Sequence, residues 1–212
     1  MIEEYNLLKQ SGAIPLRHQT VVDWFKNYKQ PNYKIHRWIK KGYLIQLSKG
    51  LYMANPDITG EKPDKFLISN ALYGPSYVTA ESALAMFGAI PEEVHTVTAV
   101  TTKRTTELVT PIGRFSYVKI TPEYYSNGIE IKTMNKNQNA LCAIPEKAIC
   151  DLIVTTKHLL FRGKNDVRNW IDYMRLDELF LNNLDPAKIT AYITNAPKKS
   201  SLNHFVKLLK HD

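Results

Sequence analysis

Two amphipathic helices in close succession, followed at once by a tight hairpin, are written into Thr20–Met53, TVVDWFKNYKQPNYKIHRWIKKGYLIQLSKGLYM. Val21, Trp24, Phe25 and Tyr28 recur at i, i+3, i+4 and i+7, which places them on one face of a first helix. Thr20 stands before them as an expected N-cap, with Asp23 three residues on in the capping-box position. Lys29-Gln30 breaks the pattern, and Pro31 suits the first position of a second helix. Ile35, Trp38 and Ile39 form the apolar stripe of that helix, and Gly42 sits where a C-terminal cap belongs. Tyr43–Leu47 and Leu51–Ala54 are β-prone runs around Ser48-Lys49-Gly50, a hairpin signal. This order of elements is that of a winged helix-turn-helix.

Charge sharpens the expectation. No Asp or Glu lies between Asp23 and Asp57, while the interval carries Lys26, Lys29, Lys34, Arg37, Lys40, Lys41 and Lys49. Opposite the apolar stripe of the second helix lie Asn32, Tyr33, His36, Arg37 and Lys40. These residue types hydrogen-bond base edges and phosphates in a major groove. Lys49, at the hairpin tip, is placed to touch the backbone as a wing. Lys26, Lys34, Lys40, Lys41 and Lys49 are the expected phosphate contacts, with Thr20 at the entry to the motif. Arg37 is the best candidate for a bidentate guanine contact. The bland alternative is a solvated basic helix in an ordinary domain.

The remaining composition sets outer bounds. The 212 residues suffice for one large or two small domains with a real core. Hydrophobic content of 44% with 23% charged residues describes a globular chain, and no apolar run is long enough to span a membrane. MIEEYNLLKQ is acidic and amphipathic, unlike a secretory signal, so a cytoplasmic protein is expected. Cys142 and Cys150 are too few for a disulfide framework and lack metal-knuckle spacing; reduced buried thiols are expected. Of the net charge of +8, residues 1–58 hold nine Lys/Arg against four Asp/Glu, a net +5. The excess is concentrated where the motif lies, which favours a polyanionic partner.

Glu3–Lys9 reads as a helix and Ile14-Pro15-Leu16 as a short extended piece before the motif. Asn55–Asp64, with two prolines and a glycine, reads as a linker, so the expected domains are 1–58 and 59–212. Beyond it come helices over Lys65–Leu72 and Ala80–Phe87, the latter capped by Thr79. Strands follow at His95–Thr101, Thr106–Thr110, Arg114–Ile120, Gly128–Met134 and Ala140–Ala143. A helix over Glu146–Thr156 and a mostly helical remainder, broken at Asp185-Pro186 and Pro197, complete the chain. The expected class is α+β: an N-terminal winged helix, then a larger domain with a mixed or antiparallel sheet and a helical C-terminal segment.

Over most of residues 1–160 the chain resembles the AbiEi-type antitoxin and transcriptional-regulator family. The resemblance rests on the block ending in LSKGLYM, then LYGPSYVTAESALAMFGAIPEEVHTVTAVTTKR, TPIGRFSYVKI and IPEKAICDL, in that order and spacing. It implies a two-domain bacterial protein whose winged helix binds inverted repeats in double-stranded operator DNA and represses its own operon. It further implies an antitoxin domain that counteracts a nucleotidyltransferase toxin encoded next door, in a type IV arrangement that needs no stable complex. The family's DNA-reading positions fall on Asn32, Tyr33, His36, Arg37, Lys40 and Lys49. Glu146, Lys147 and Asp151 match its PEKAICDL pattern and read first as structural, with Pro145 starting a helix and an acid in its first turn.

Searched for catalysis, the sequence has no phosphate-cradling glycine motif and no GxSxG elbow. Its six histidines do not pair at ligand spacing, so no metal, cofactor or catalytic residue is expected. Glu130-Ile131-Lys132, with Glu123 upstream, has the residue types of a Mg²⁺-dependent nuclease. The same residues more readily fit a common surface strand alternating out, in, out. Tyr124-Tyr125 reads as packing, and Lys103-Arg104 as a solvated turn. Two rivals to a repressor therefore stand: a DNA-acting nuclease, and a protein-interaction module whose winged helix no longer reads DNA.

Overall fold

The computed structural model describes residues 2–135 and 138–210. Its N-terminal part runs α1 (Ile2–Ser11), β1 (Leu16–Arg17), α2 (His18–Trp24), α3 (Pro31–Lys40), β2 (Leu44–Ser48) and β3 (Leu51–Ala54). The three strands form an antiparallel sheet in the order β1-β3-β2. Leu8, Val21, Phe25, Ile35 and Trp38 close over it as one buried cluster, with Phe25 edge-on to Trp38 at 4.8 Å between ring centroids. The stretch read as a linker is more structured than its composition suggested. It holds α4 (Pro56–Thr59), capped by Asn55, whose side chain accepts from the Asp57 amide at 3.0 Å. The Glu61 carboxylate then accepts from the Ala13 amide at 3.3 Å, tying this segment back to the end of α1.

The rest of the chain is a second sheet between two layers. In order come α5 (Lys65–Leu72), β4 (Ser76–Val78), α6 (Ala80–Met86), β5 (Thr96–Thr101), β6 (Thr106–Thr110) and β7 (Gly113–Lys119). They are followed by α7 (Pro122–Tyr125), β8 (Ile129–Asn135), β9 (Gln138–Ala143) and α8 (Pro145–Thr155). The chain ends in α9 (Lys164–Tyr173), α10 (Glu178–Asn182), α11 (Pro186–Ile193) and α12 (Lys199–Leu209). The six strands lie in the order β6-β7-β5-β4-β9-β8. The β4/β9 and β5/β7 pairs are parallel and the others antiparallel, so the sheet is mixed. The chain is therefore α+β throughout.

Alternation along the strands separates two cores. Tyr77 and Val100 face a cluster built by α6, α8, α9, α11 and α12. Val78, Val97, Ala99, Phe115, Tyr117 and Cys142 face the other way, toward Ile68 of α5. Into this second cluster project Leu47, Leu51 and Met53 of the N-terminal hairpin, whose Leu44, Tyr52 and Ala54 belong to the N-terminal core. All four residues of β3 are buried for this reason. A strand with apolar cover on both faces reads as a continuous apolar run, as LYMA does.

A charged network anchors α8 beneath the sheet. Asp151 is fully buried and accepts from Lys147 (2.8 Å), the Tyr77 hydroxyl (2.9 Å) and the Thr79 hydroxyl (2.7 Å). Lys147, equally buried, also donates to the Tyr124 carbonyl at 3.1 Å and lies over the Tyr124 ring. Thr79 occupies the N-cap position of α6 as expected, but its hydroxyl serves Asp151 and makes no cap bond. Gly128, at φ +73°, lets the chain pass: a Cβ there would stand 2.7 Å from Lys147 Cβ and 2.8 Å from the Tyr192 hydroxyl. Glu146, buried nearby, takes Lys188 at 3.2 Å and the Asp185 amide at 3.3 Å. These satisfied partners fit the structural reading of Glu146, Lys147 and Asp151. Removing one partner of such a pair leaves an uncompensated buried charge, at a cost of roughly 3–5 kcal/mol.

The same burial governs titration. Burial, and then the Asp151 charge, push the Tyr77 and Tyr124 phenols well above their usual range. Burial raises Tyr117 and Tyr192 to about 12, and the Cys142 thiol to about 12. Cys150 is pushed up further by the same cause. Unfolded phenols and thiols lose protons near their ordinary values, about 10 and 8.5. Above those values the unfolded state binds fewer protons than the native state, so stability falls as pH rises. Lys147 and Lys198 are lowered by burial and so act in the opposite sense up to their ordinary value of 10.5. Phenols and thiols outnumber these two lysines. The denaturant midpoint is expected to drop steadily between about pH 8 and pH 11; a flat profile would show that these groups ionise freely in the native protein.

Candidate nucleic-acid interface

The exposed surface of α3 is set by how the helix is started and stopped. Pro31 sits at its first position, where a missing amide costs nothing. At the other end Gly42 adopts φ +71° and donates to the Ile39 carbonyl at 3.0 Å, while the Tyr43 amide donates to Trp38 at 2.9 Å. This is a Schellman cap, completed by Tyr43 packing edge-on against Trp38 at 5.7 Å. It turns the chain directly into β2. Asn55 holds the turn, donating to the Gly42 carbonyl at 2.7 Å.

With Ile35 and Trp38 buried and Ile39 half-buried, the opposite side of α3 faces solvent. Asn32, Tyr33, His36, Arg37 and Lys40 are all exposed, Tyr33 at 62%. Lys41 is exposed at the C-cap, and Lys49 at the hairpin turn, where Gly50 takes φ +78°. The helix carries no acid, so the face is uniformly polar or cationic. Lys34 differs from its neighbours. It is half-buried, its ammonium 3.3 Å from the Tyr28 hydroxyl and 4.4 Å from the centre of that ring. Its charge is directed to the side of the helix rather than outward.

Two expectations about α2 need correction. The helix begins at His18, so Thr20 is an exposed residue within it and caps nothing; Arg17 is the N-cap, without a side-chain cap bond. The start is fixed instead by pairing, because β1 lies against Tyr52 and Leu51 and the His18 amide donates to the Gly50 carbonyl at 2.9 Å. Asp23 accepts from Gln19 at 2.9 Å and takes no part in a capping box. The helix also ends early, at Trp24. Phe25 reaches the core from the following turn, and Lys26 and Tyr28 are exposed on the link to α3.

Sequence reading did not locate the cavity beside this face. About 600 Å³ in volume, it is bounded by Tyr5 and Asn6 of α1, Tyr28, Lys34, Arg37, Trp38, Lys41 and Tyr43. Lys34, Arg37, Trp38 and Lys41 are at i, i+3, i+4 and i+7, a spacing that was legible. The tyrosines come from three other segments, which no local pattern connects.

The enzyme-like pattern is differently disposed from what alternation suggested. Ile131 is 71% exposed, whereas Glu130 and Lys132 are half-buried. Pairing decides this: Glu130 and Lys132 stand opposite Cys142 and Ala140, whose face is a core, and Ile131 opposite exposed Leu141. Lys132 bonds Glu130 at 3.2 Å and lies 4.8 Å from the centre of the Phe87 ring. Among the described residues no group of three or more His, Cys, Asp or Glu could hold a metal ion. Lys103 and Arg104 are exposed in the β5–β6 turn, and Tyr124 is buried. No helix is long and apolar enough to cross a membrane, among the described residues.

No family model matches the chain, and no curated protein matches it. Among solved structures it is similar to the RV2827C protein from Mycobacterium tuberculosis. The two are 12% identical, with a TM-score of 0.61, over 98% of this chain and 75% of that one. At this identity the likeness concerns the fold alone.

The cap at Gly42 is open to direct test. A Cβ there meets nothing nearer than Asn55 at 3.9 Å, so its cost is conformational. Gly42→Ala is expected to lower stability by about 1–2 kcal/mol in chemical denaturation, and Gly42→Asn by less, because Asn tolerates the left-handed region. Equal stability of Gly42→Ala and the parent would mean the cap does not fix the α3–β2 turn.

Proposed function

We propose that the protein is a sequence-specific DNA-binding repressor, its N-terminal part a winged helix with α3 as reading helix and the β2–β3 turn as wing. One observation carries this reading: the outward side of α3 is exposed, acid-free and cationic, on a helix that follows a short turn after α2 and leads straight into a hairpin tipped by Lys49. Asn32, Tyr33, His36 and Arg37 meet base edges; Lys26, Lys40, Lys41 and Lys49 meet phosphates. Affinity comes largely from the phosphate contacts and falls steeply with salt. The resemblance to AbiEi-type regulators adds that the operator is the protein's own and consists of inverted repeats. It adds also that the second domain, residues 59–212, acts as antitoxin to a nucleotidyltransferase toxin.

The test is fluorescence anisotropy of the protein with the DNA upstream of its gene, against a scrambled duplex, at two salt concentrations. The native fragment is expected to bind more tightly, with both affinities weaker at high salt. Arg37→Ala is expected to cost roughly 1–3 kcal/mol and relax discrimination at one base pair. Lys49→Ala is expected to weaken all duplexes alike and reduce the salt slope by about 1. Equal binding of both duplexes, unchanged in Arg37→Ala, would overturn the assignment.

A further inference from the structure

The cavity beside α3 combines two kinds of recognition chemistry. Its rim supplies tyrosine rings from α1, from the link before α3 and from the position after the cap. Its α3 side supplies Lys34, Arg37 and Lys41, and none of its described lining residues is acidic. The lysines already lie near the rings: Lys34 is 4.4 Å from the centre of Tyr28, and Lys41 5.9 Å from that of Tyr43. At about 600 Å³ the space is within the range that encloses a small organic ligand. Planar rings stack on aromatic side chains and anions pair with guanidinium and ammonium groups. One small molecule that needs both at once is a nucleotide, with a flat base and a phosphate.

We propose that this cavity binds a free nucleoside monophosphate, the base among the tyrosine rings and the phosphate on Arg37 and Lys41. Helical geometry gives the site a consequence. Residues advance by roughly 100° around a helix, so Arg37 lies between the outward face of His36 and Lys40 and the side of Lys34 and Lys41. Its guanidinium cannot serve a phosphate in the cavity and a base in the groove together. A bound nucleotide therefore weakens duplex binding, and duplex weakens nucleotide binding by the same factor. This regulatory half rests on the repressor reading; the binding half does not.

The experiment titrates full-length protein, without DNA, with each of the four ribonucleoside 5′-monophosphates. Adenosine and inorganic phosphate serve as partial ligands. Calorimetry reads affinity, and the Trp38 indole NMR signal reads location. At least one monophosphate should bind at one per chain with a Kd below about 1 mM, shift that indole signal, and bind at least about tenfold more tightly than either partial ligand. Lys41→Ala and Tyr5→Ala should each weaken it several-fold, with circular dichroism and the indole signal showing that the fold is kept. No binding by any of the four, or binding that leaves Trp38 and both variants unaffected, would overturn the site. Nucleotide binding that leaves duplex affinity unchanged would overturn the competition while leaving the site in place. Nucleotide binding in a protein with no duplex affinity would count against the repressor reading alone.

Discussion

Strand β3 is buried on both faces, so that the hairpin Leu44–Ala54 enters two cores, and the rest of the structure is arranged around that fact. One set of its side chains completes the core under α2 and α3; the alternate set enters the core between α5 and the six-stranded sheet. A hairpin alone is marginal in water. Here two apolar surfaces hold it, each satisfied only when its own neighbour is in place. The Schellman cap then fixes α3 to the first strand of this hairpin. Helix α3 is in this way positioned by two cores at once. Any change that loosens the second core at Leu47, Leu51 or Met53 reaches α3 through a single turn.

Charge is distributed in two different ways in the molecule. On α3 most of it lies in solvent without an acidic partner among the described residues, where it costs little and remains available to a polyanion. Around α8 it is enclosed and fully matched, with Asp151 accepting from three side chains and Lys147 held between a carboxylate, a carbonyl and an aromatic face. The second arrangement is expensive to desolvate, and its partners come from β4, α7 and α8, so it acts as a geometric lock between sheet and helix. Conspicuous charge in IPEKAICDL thus belongs to architecture, while the plainer lysines of α3 form the candidate site.

Much of this was legible because local signals and tertiary burial agreed. Lys65–Leu72 is helical over the span expected, and the outward side of α3 follows from Ile35, Trp38 and Ile39 alone. Expectations failed where distant pairing overrode a local rule. Thr20 looked like a cap, but β1 pairing starts α2 earlier. Asn55–Asp64 offered no periodicity, yet it holds α4 and is bonded to its surroundings through Asn55 and Glu61. Ile131 looked inward, but its register with Leu141 exposes it. The double burial of β3 was present in the run LYMA, yet a short apolar run does not say which surfaces cover it. The cavity beside Arg37 was hidden for a similar reason, since its aromatic rim is gathered from separate segments.

The account turns on where nucleic acid meets the protein, and a lysine-reactivity footprint measures that most directly. The protein would be labelled by reductive methylation with and without duplex from upstream of its gene, and each lysine quantified by mass spectrometry. Protection concentrated on Lys26, Lys40, Lys41 and Lys49, with Lys103, Lys164 and Lys199 unchanged, is the predicted result. Protection of those last three, with Lys40 and Lys49 still reactive, would place the interface elsewhere and contradict the account.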